Sequence, residues 1–429
     1  MSSVDGTKFT LKVMINKQKS KVLFAEANNF VADALLGFLT LPLAKILRIL
    51  RYHEMYYGYK APVIGSLSRL YINLFCSDNS SKNDDNKLLF MGSMSLEVEY
   101  RKLLGDIFPK DYICSDSNCP HYGYAKVKEV SEIGICVCGE PKCGRALTKP
   151  ATFVISDDLR VVPMHSGFLQ TLNNLGISDI HGAEPKSLNL EFHDVVNLLK
   201  LSLISSTPLT DLVFKNSEIN SISPKIDPIH MGRGIINHAA KIILKVSLLK
   251  STNNFLFAEA KEDFVEFLFS MLALPLAEVV RRLDGKIPFK NIDNLYTSVE
   301  DFIDEEYFRD YDTKTSLTNP KIDHGYFSLK QIVQIDGNDE SKVFIVSDNL
   351  TVEPFSIATM VSKLNDYGIS LSDVKETEIQ IGAREALEIL RASLVSKTAL
   401  TDALITPMLS RIPKPQLENA TNLFCKLPL

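Results

Sequence analysis

The 429 residues predict an α+β fold of two tandem related domains, each with β-hairpins packed on amphipathic helices. Three observations carry that expectation. First, the chain resembles itself. Residues 11–44 align with 244–277 without a gap, and fifteen of the 34 positions are identical, where ordinary composition gives about two by chance. Second, β-rich runs around polar turns alternate with stretches of 3.6-residue apolar period. Third, 45% hydrophobic and 23% charged residues are ordinary globular values, which exclude a disordered, collagenous or coiled-coil chain. The length exceeds what one typical core holds and fits two domains or three small ones.

The elements follow in order. Residues 9–15 and 21–26 have strand-like composition around the polar turn Asn16–Ser20, so a hairpin is expected. A helix of about 15 residues follows, and Pro42 ends or kinks it, because proline removes an internal hydrogen bond. The shared core of this first block reads LKV, LFAEA (23–27 and 256–260) and LPLA (41–44 and 274–277). A second block repeats at a smaller offset. FVISDDLRVVP at 153–163 matches FIVSDNLTVEP at 344–354, with SDDL and SDNL placed as tight hairpin turns. Gly176 and Gly368 follow helical patterns and suit the left-handed position that closes a helix. A helix is then expected with Phe192, Val195, Val196, Leu199 and Leu203 on one face, repeated by Ala383, Ala386, Leu387, Leu390 and Leu394. SLISSTPLTD (202–211) matches SLVSKTALTD (393–402). The expected boundaries are a first repeat at 1–215, a linker at 216–236, a second repeat at 237–405 and a tail at 406–429.

Because the offset falls between the two blocks, the first copy carries extra chain, and the cysteine cluster lies inside it. Five of the seven cysteines, Cys114, Cys119, Cys136, Cys138 and Cys143, fall within about 108–150. Paired soft thiolates separated by a loop can supply a tetrahedral site, so four of these five are the expected ligands of a structural zinc. Gly139 and Gly144 directly follow cysteines, where a chain must turn tightly around a metal. His121 reads as a solvated loop residue. An all-thiolate set describes a closed site, whereas catalytic zinc keeps an open position. The second copy has no such cluster.

Other chemistry is sparse. Glu26 and Glu259 recur just before helices, with Asp33 and Glu266 one to two turns further on; carboxylates there are favoured by the macrodipole and exposed backbone amides. Asp157 and Asp348 read as turn residues, and Asp211 and Asp402 as helix-end or turn contacts. The eight histidines have no counterparts between copies, and no phosphate loop, dinucleotide fingerprint or nucleophile elbow occurs. Net charge is −5, and residues 108–150 hold six Lys/Arg against five Asp/Glu, so no basic stripe appears and nucleic acid is not the expected partner. The apolar stretches 30–50 and 264–280 are cut by Asp33, Lys45, Glu266 and Glu278, which makes them core helices rather than membrane spans. With no leader pattern at the N-terminus, a cytoplasmic protein is expected, a nuclear one being the alternative.

The opening LKVMINKQKSKVLFAEA, the LPLA, the CSDSNC…CVCG segment, SDDLRVVP and the SLISSTPLTD ending together resemble a plant protein family, domain of unknown function 674. The resemblance covers nearly the whole chain in two copies. It implies a plant source and repeated α+β domains, favours Cys114, Cys119, Cys136 and Cys138 as the main metal set, and brings no activity, cofactor or partner with it. The expectation is a non-catalytic interaction or scaffold protein whose protein partner is unknown. The alternatives are an enzyme or small-ligand binder with a pocket between the repeats, using Glu26 or Glu259, and nucleic-acid binding through the Cys-rich module.

Overall fold

Strand β1 (Phe9–Asn16) pairs antiparallel with β2 (Lys21–Ala27) in the expected hairpin. Alternation decides which face is buried, and Leu11, Val13, Val22 and Ala25 point into the core. The computed structural model describes residues 9–58, 62–75, 147, 152–164, 167–215, 242–284, 286–302, 307–308, 311–320 and 343–410. The expected linker and all seven cysteines lie outside the described residues.

After β2, Asn28 caps helix α1 (Asn29–Gly37), its Oδ1 accepting from the Val31 amide at 3.3 Å. The chain neither stops nor merely bends at Pro42. A short 3₁₀ turn at Phe38–Thr40 leads to an extended Leu41, and Pro42 stands immediately before α2 (Leu43–Tyr57). Proline's missing N–H costs nothing at a helix start, where the first amides have no intrahelical partner. α3 (Leu67–Phe75) comes next. Strands β3 (Phe153–Ser156) and β4 (Val161–Pro163) flank the SDDL turn, with Leu159 at φ +63°. α4 (Phe168–Asn174) closes as expected, with Gly176 at φ +68° and the amides of Gly176 and Ile177 returning to Asn173 and Leu172. β5 (Ala183–Leu190), α5 (Phe192–Ile204) and α6 (Pro208–Phe214) complete the first half. The stripe on α5 is buried as predicted at Val195, Val196, Leu199 and Leu203.

The second half repeats this order. β6 (Ile242–Leu249) and β7 (Phe255–Ala260) form a hairpin, followed by α7 (Glu262–Ser270) and a 3₁₀ turn at Met271–Ala273. Pro275 precedes α8 (Leu276–Leu283), then come α9 (Lys290–Asp301) and α10 (Tyr311–Thr318). β8 (Phe344–Val346), β9 (Val352–Pro354), α11 (Ile357–Asp366), β10 (Val374–Ile381), α12 (Ala383–Val395) and α13 (Thr406–Ser410) follow. The α12 stripe departs from expectation. Ala383 is exposed and Leu387 half-buried, while every residue from Glu388 to Leu394 is buried. The C-terminal half of this helix is enclosed on all sides, and Glu388 and Arg391 enter together as an ion pair at 2.7 Å, since a lone buried charge is far costlier.

Two five-stranded antiparallel sheets result. Their orders, β4-β3-β2-β1-β5 and β9-β8-β7-β6-β10, are the same arrangement. Each hairpin carries a bulge at the matching place, between Met14 and Ile15 in one and between Ser247 and Leu248 in the other. The chain forms two compact units. One comprises Met1–Val63, Leu74–Lys225 and Glu266–Asp336; the other comprises Ile64–Asn73, Ile226–Val265 and Gly337–Leu429. Among the described residues, no helix is long and apolar enough to cross a membrane.

Candidate functional site

Two motifs of the second repeated block, the SDDL turn and the STPLTD segment, meet in space. In the first sheet's unit, Asp157 is buried, and Thr210 donates to both of its oxygens, the amide to Oδ1 and the hydroxyl to Oδ2, each at 2.8 Å. The Thr210 hydroxyl also accepts from the Val22 amide at 2.9 Å. One threonine therefore joins the β3–β4 turn, the start of α6 and strand β2. Burial pushes the Asp157 carboxyl up to about 6, against the pull of the two Thr210 donors.

Beside it, the Ser205 hydroxyl donates to Asp211 Oδ2 at 2.5 Å and accepts from the Thr207 amide at 2.9 Å, fixing the turn into α6. The second sheet's unit repeats the construction. Thr401 donates to Asp348 through its amide at 2.8 Å and its hydroxyl at 2.6 Å, and Ser396 donates to Asp402 at 2.5 Å. Burial raises the Asp348 carboxyl as well, Thr401 opposing it. Asp157 and Asp348 are thus more than turn residues, because each reaches across to a helix start far along the chain. Each carboxylate's oxygens are taken up by donors from its own fold, which suits a tie between segments rather than proton transfer to a substrate.

The other predicted carboxylates part company. Glu26 stands opposite Lys12 in the β1–β2 register. Glu259 stands opposite Lys245, whose Nζ lies 3.7 Å from Glu259 and 2.8 Å from Glu376. Both end a strand just before a helix, as expected, and are paired across the sheet; the side-chain cap of α1 belongs to Asn28. Asp33 is buried in α1 and accepts from the Leu147 amide at 3.0 Å, whereas Glu266 is exposed. The metal candidates Cys114, Cys119, Cys136, Cys138 and Cys143 lie outside the described residues, and among the described residues no group of three His, Cys, Asp or Glu could hold a metal ion.

Sequence reasoning missed two charged clusters. On α2, His53 is 1% exposed, and burial first, then the charges of His193 and Lys200, lower its pKa to about 4. His193 on α5 lies 3.2 Å from Asp194 and 3.4 Å from Glu191. On α8, Arg281 and Arg282 both bind buried Glu278, at 2.8 and 2.6 Å. A lone histidine carries no sequence signal of burial. The Glu-x-x-Arg-Arg spacing of Glu278 does, because residues three and four apart share a helix face.

Fold and geometry together define an α+β protein with two sheets of like order, each tied by an aspartate–threonine clamp, buried at Asp157 and half-buried at Asp348. At the level of family, residues 5–343 and 338–423 match the one described as "Protein of unknown function (DUF674)", and the chain belongs to it. Comparison with curated proteins and with solved structures returns no match.

Proposed function

We propose that this chain is a tandem duplication of its family's domain that serves as a non-catalytic interaction scaffold in the plant cytoplasm, with a structural zinc in the first copy. The observation that carries the reading is what the repeated polar residues do. Asp157, Thr210, Ser205 and Asp211, like Asp348, Thr401, Ser396 and Asp402, bind one another and the backbone. What the copies share is thus a framework, and their differences lie elsewhere. The enzyme alternative has less support, since Glu259 is engaged by Lys245 and Glu26 stands opposite Lys12. The thiolate donor set of Cys114, Cys119, Cys136, Cys138 and Cys143 suits zinc in a closed site, which would brace the insertion.

The test is quantitative affinity purification from plant tissue with the intact chain, followed by reconstitution of any captured protein with purified components. A stoichiometric protein complex that forms with the intact chain supports the scaffold. Absence of any such complex, together with thermal stabilisation by a metabolite, would replace it with the small-ligand reading.

A further inference from the structure

Each compact unit borrows a helix from the other copy. In the unit built on the second sheet, the borrowed residues are 64–73 of the first copy. The Ser66 hydroxyl donates to the Ser396 carbonyl at 2.6 Å, and the Val352 amide donates to Asn73 Oδ1 at 3.0 Å. Gly65, at φ +44°, lies so close to the end of α12 that a Cβ there would stand 2.4 Å from the Ser393 carbonyl oxygen. Only glycine allows that approach.

In the unit built on the first sheet, α9 of the second copy makes the mirror contacts. Asn291 Nδ2 donates to the carbonyls of Ser202 at 3.1 Å and Ser205 at 2.7 Å, and the Val161 amide donates to Ser298 Oγ at 2.9 Å. The correspondence is residue for residue. Asn291 and Ser298 hold the places of Ser66 and Asn73, with the same spacing and with Leu-Tyr at matching positions between them, 295–296 and 70–71. Ser396 and Val352 hold the places of Ser205 and Val161 in the alignment of the second block. The contacts are the same while the owners are exchanged. A third pair has the same reciprocity. The Leu43 amide donates to Leu274 O at 3.0 Å and the Leu276 amide to Leu41 O at 3.1 Å, so the two LPLA motifs pair with each other. That is the pattern of an isologous two-fold contact, in which residue i meets j and j meets i.

We infer that the two copies are reciprocally swapped. The surface formed by β4 and the end of α5 in the first copy, and by β9 and the end of α12 in the second, is a helix-receiving surface whose occupant is the other copy. The inference rests on the duplication reading above, and it makes the chain a swapped pair joined covalently. Neither copy closes its own fold.

Two experiments on the full chain test this. The first is hydrogen exchange by mass spectrometry on Asn73→Ala and Ser298→Ala, mild changes that each remove one acceptor. Loss of Asn73 is expected to speed exchange around Val352 in the second copy by about tenfold, and loss of Ser298 to do the same around Val161 in the first. An effect that stays in the copy carrying the substitution overturns the swap. The second places a site-specific protease sequence within residues 216–236 and cleaves the folded protein. The two pieces are expected to elute under native conditions as one particle of the intact mass, 48.0 kDa, and to part only in denaturant. Pieces that separate natively overturn the swap. If they separate while partner capture still succeeds, the swap alone has failed. If capture fails while the crossed exchange pattern holds, only the scaffold has failed.

Discussion

Replacing Asp157 by Asn should remove one of two opposed contributions to the pH dependence of stability. Two buried groups titrate in opposite directions. Asp157 is raised from 3.8 to about 6. The folded state therefore takes up a proton that the unfolded chain still lacks, and stability from this group is present below about 4 and lost as pH rises through 6. His53 is lowered from 6.5 to about 4. Its unfolded form charges first, so its contribution is present above 6.5 and lost as pH falls to 4. At about 1.4 kcal/mol per pH unit, each effect amounts to about 3 kcal/mol. They nearly cancel between pH 4 and 6.5. Asn keeps the shape and an acceptor for the Thr210 amide but cannot titrate. The assay is urea unfolding followed by circular dichroism, since the chain has no Trp, repeated from pH 4 to 7.5. The gap between native and D157N stability should shift in favour of the native protein by about 3 kcal/mol as pH falls from 7 to 4. Parallel curves would refute the assignment of Asp157 as a buried, raised carboxyl.

Thr210→Val strips a donor from Asp157 and an acceptor from the Val22 amide, both buried, and should cost about 2 to 4 kcal/mol in the same urea assay. Thr401→Val, beside the half-buried Asp348, should cost about 1 kcal/mol, and equal losses would contradict the difference in burial. Gly176 and Gly368 have positive φ with nothing within 4 Å of an added Cβ; alanine at either should cost only about 1 kcal/mol, the price of the backbone conformation, read from the melting midpoint. Protein purified without added zinc should carry about one equivalent by elemental analysis, falling by at least half in Cys138→Ser. A metal content near zero in the native protein would remove the zinc site.

Local chemistry made much of the fold legible in advance. The first hairpin, the SDDL and SDNL turns, the glycine closures at 176 and 368 and the stripe on α5 all follow from residues adjacent in sequence, where propensity and periodicity act. β5 was not legible. Its sequence, AEPKSLNL, is polar, carries Pro185 and exposes most of its length, because an edge strand has little apolar surface to declare. It is defined by eight register pairs with β1, which stands much earlier in the chain. The clamp residues were visible as repeats, yet their role was not, since Asp157 and Thr210 look like ordinary turn and helix-start residues until the chain between them folds. The helix exchange was illegible for a related reason: the aligned blocks do not include α3 or α9, whose likeness is little more than one Leu-Tyr pair, and no local signal names a helix's owner.

Ownership also sets a timetable for synthesis. The unit that holds the first sheet includes Glu266–Asp336, so Phe153, which stacks on Phe302 at 6.1 Å, stays uncovered on that side until α9 has left the ribosome. At about 5 to 20 residues per second, the wait between the emergence of Phe153 and that of Phe302 is roughly 7 to 30 s. Once β5 has emerged, the five-stranded sheet stands open on one flank for the rest of that interval. A nascent chain in this condition is a natural client for a chaperone, and a premature stop between 225 and 290 would leave a product lacking α9 altogether.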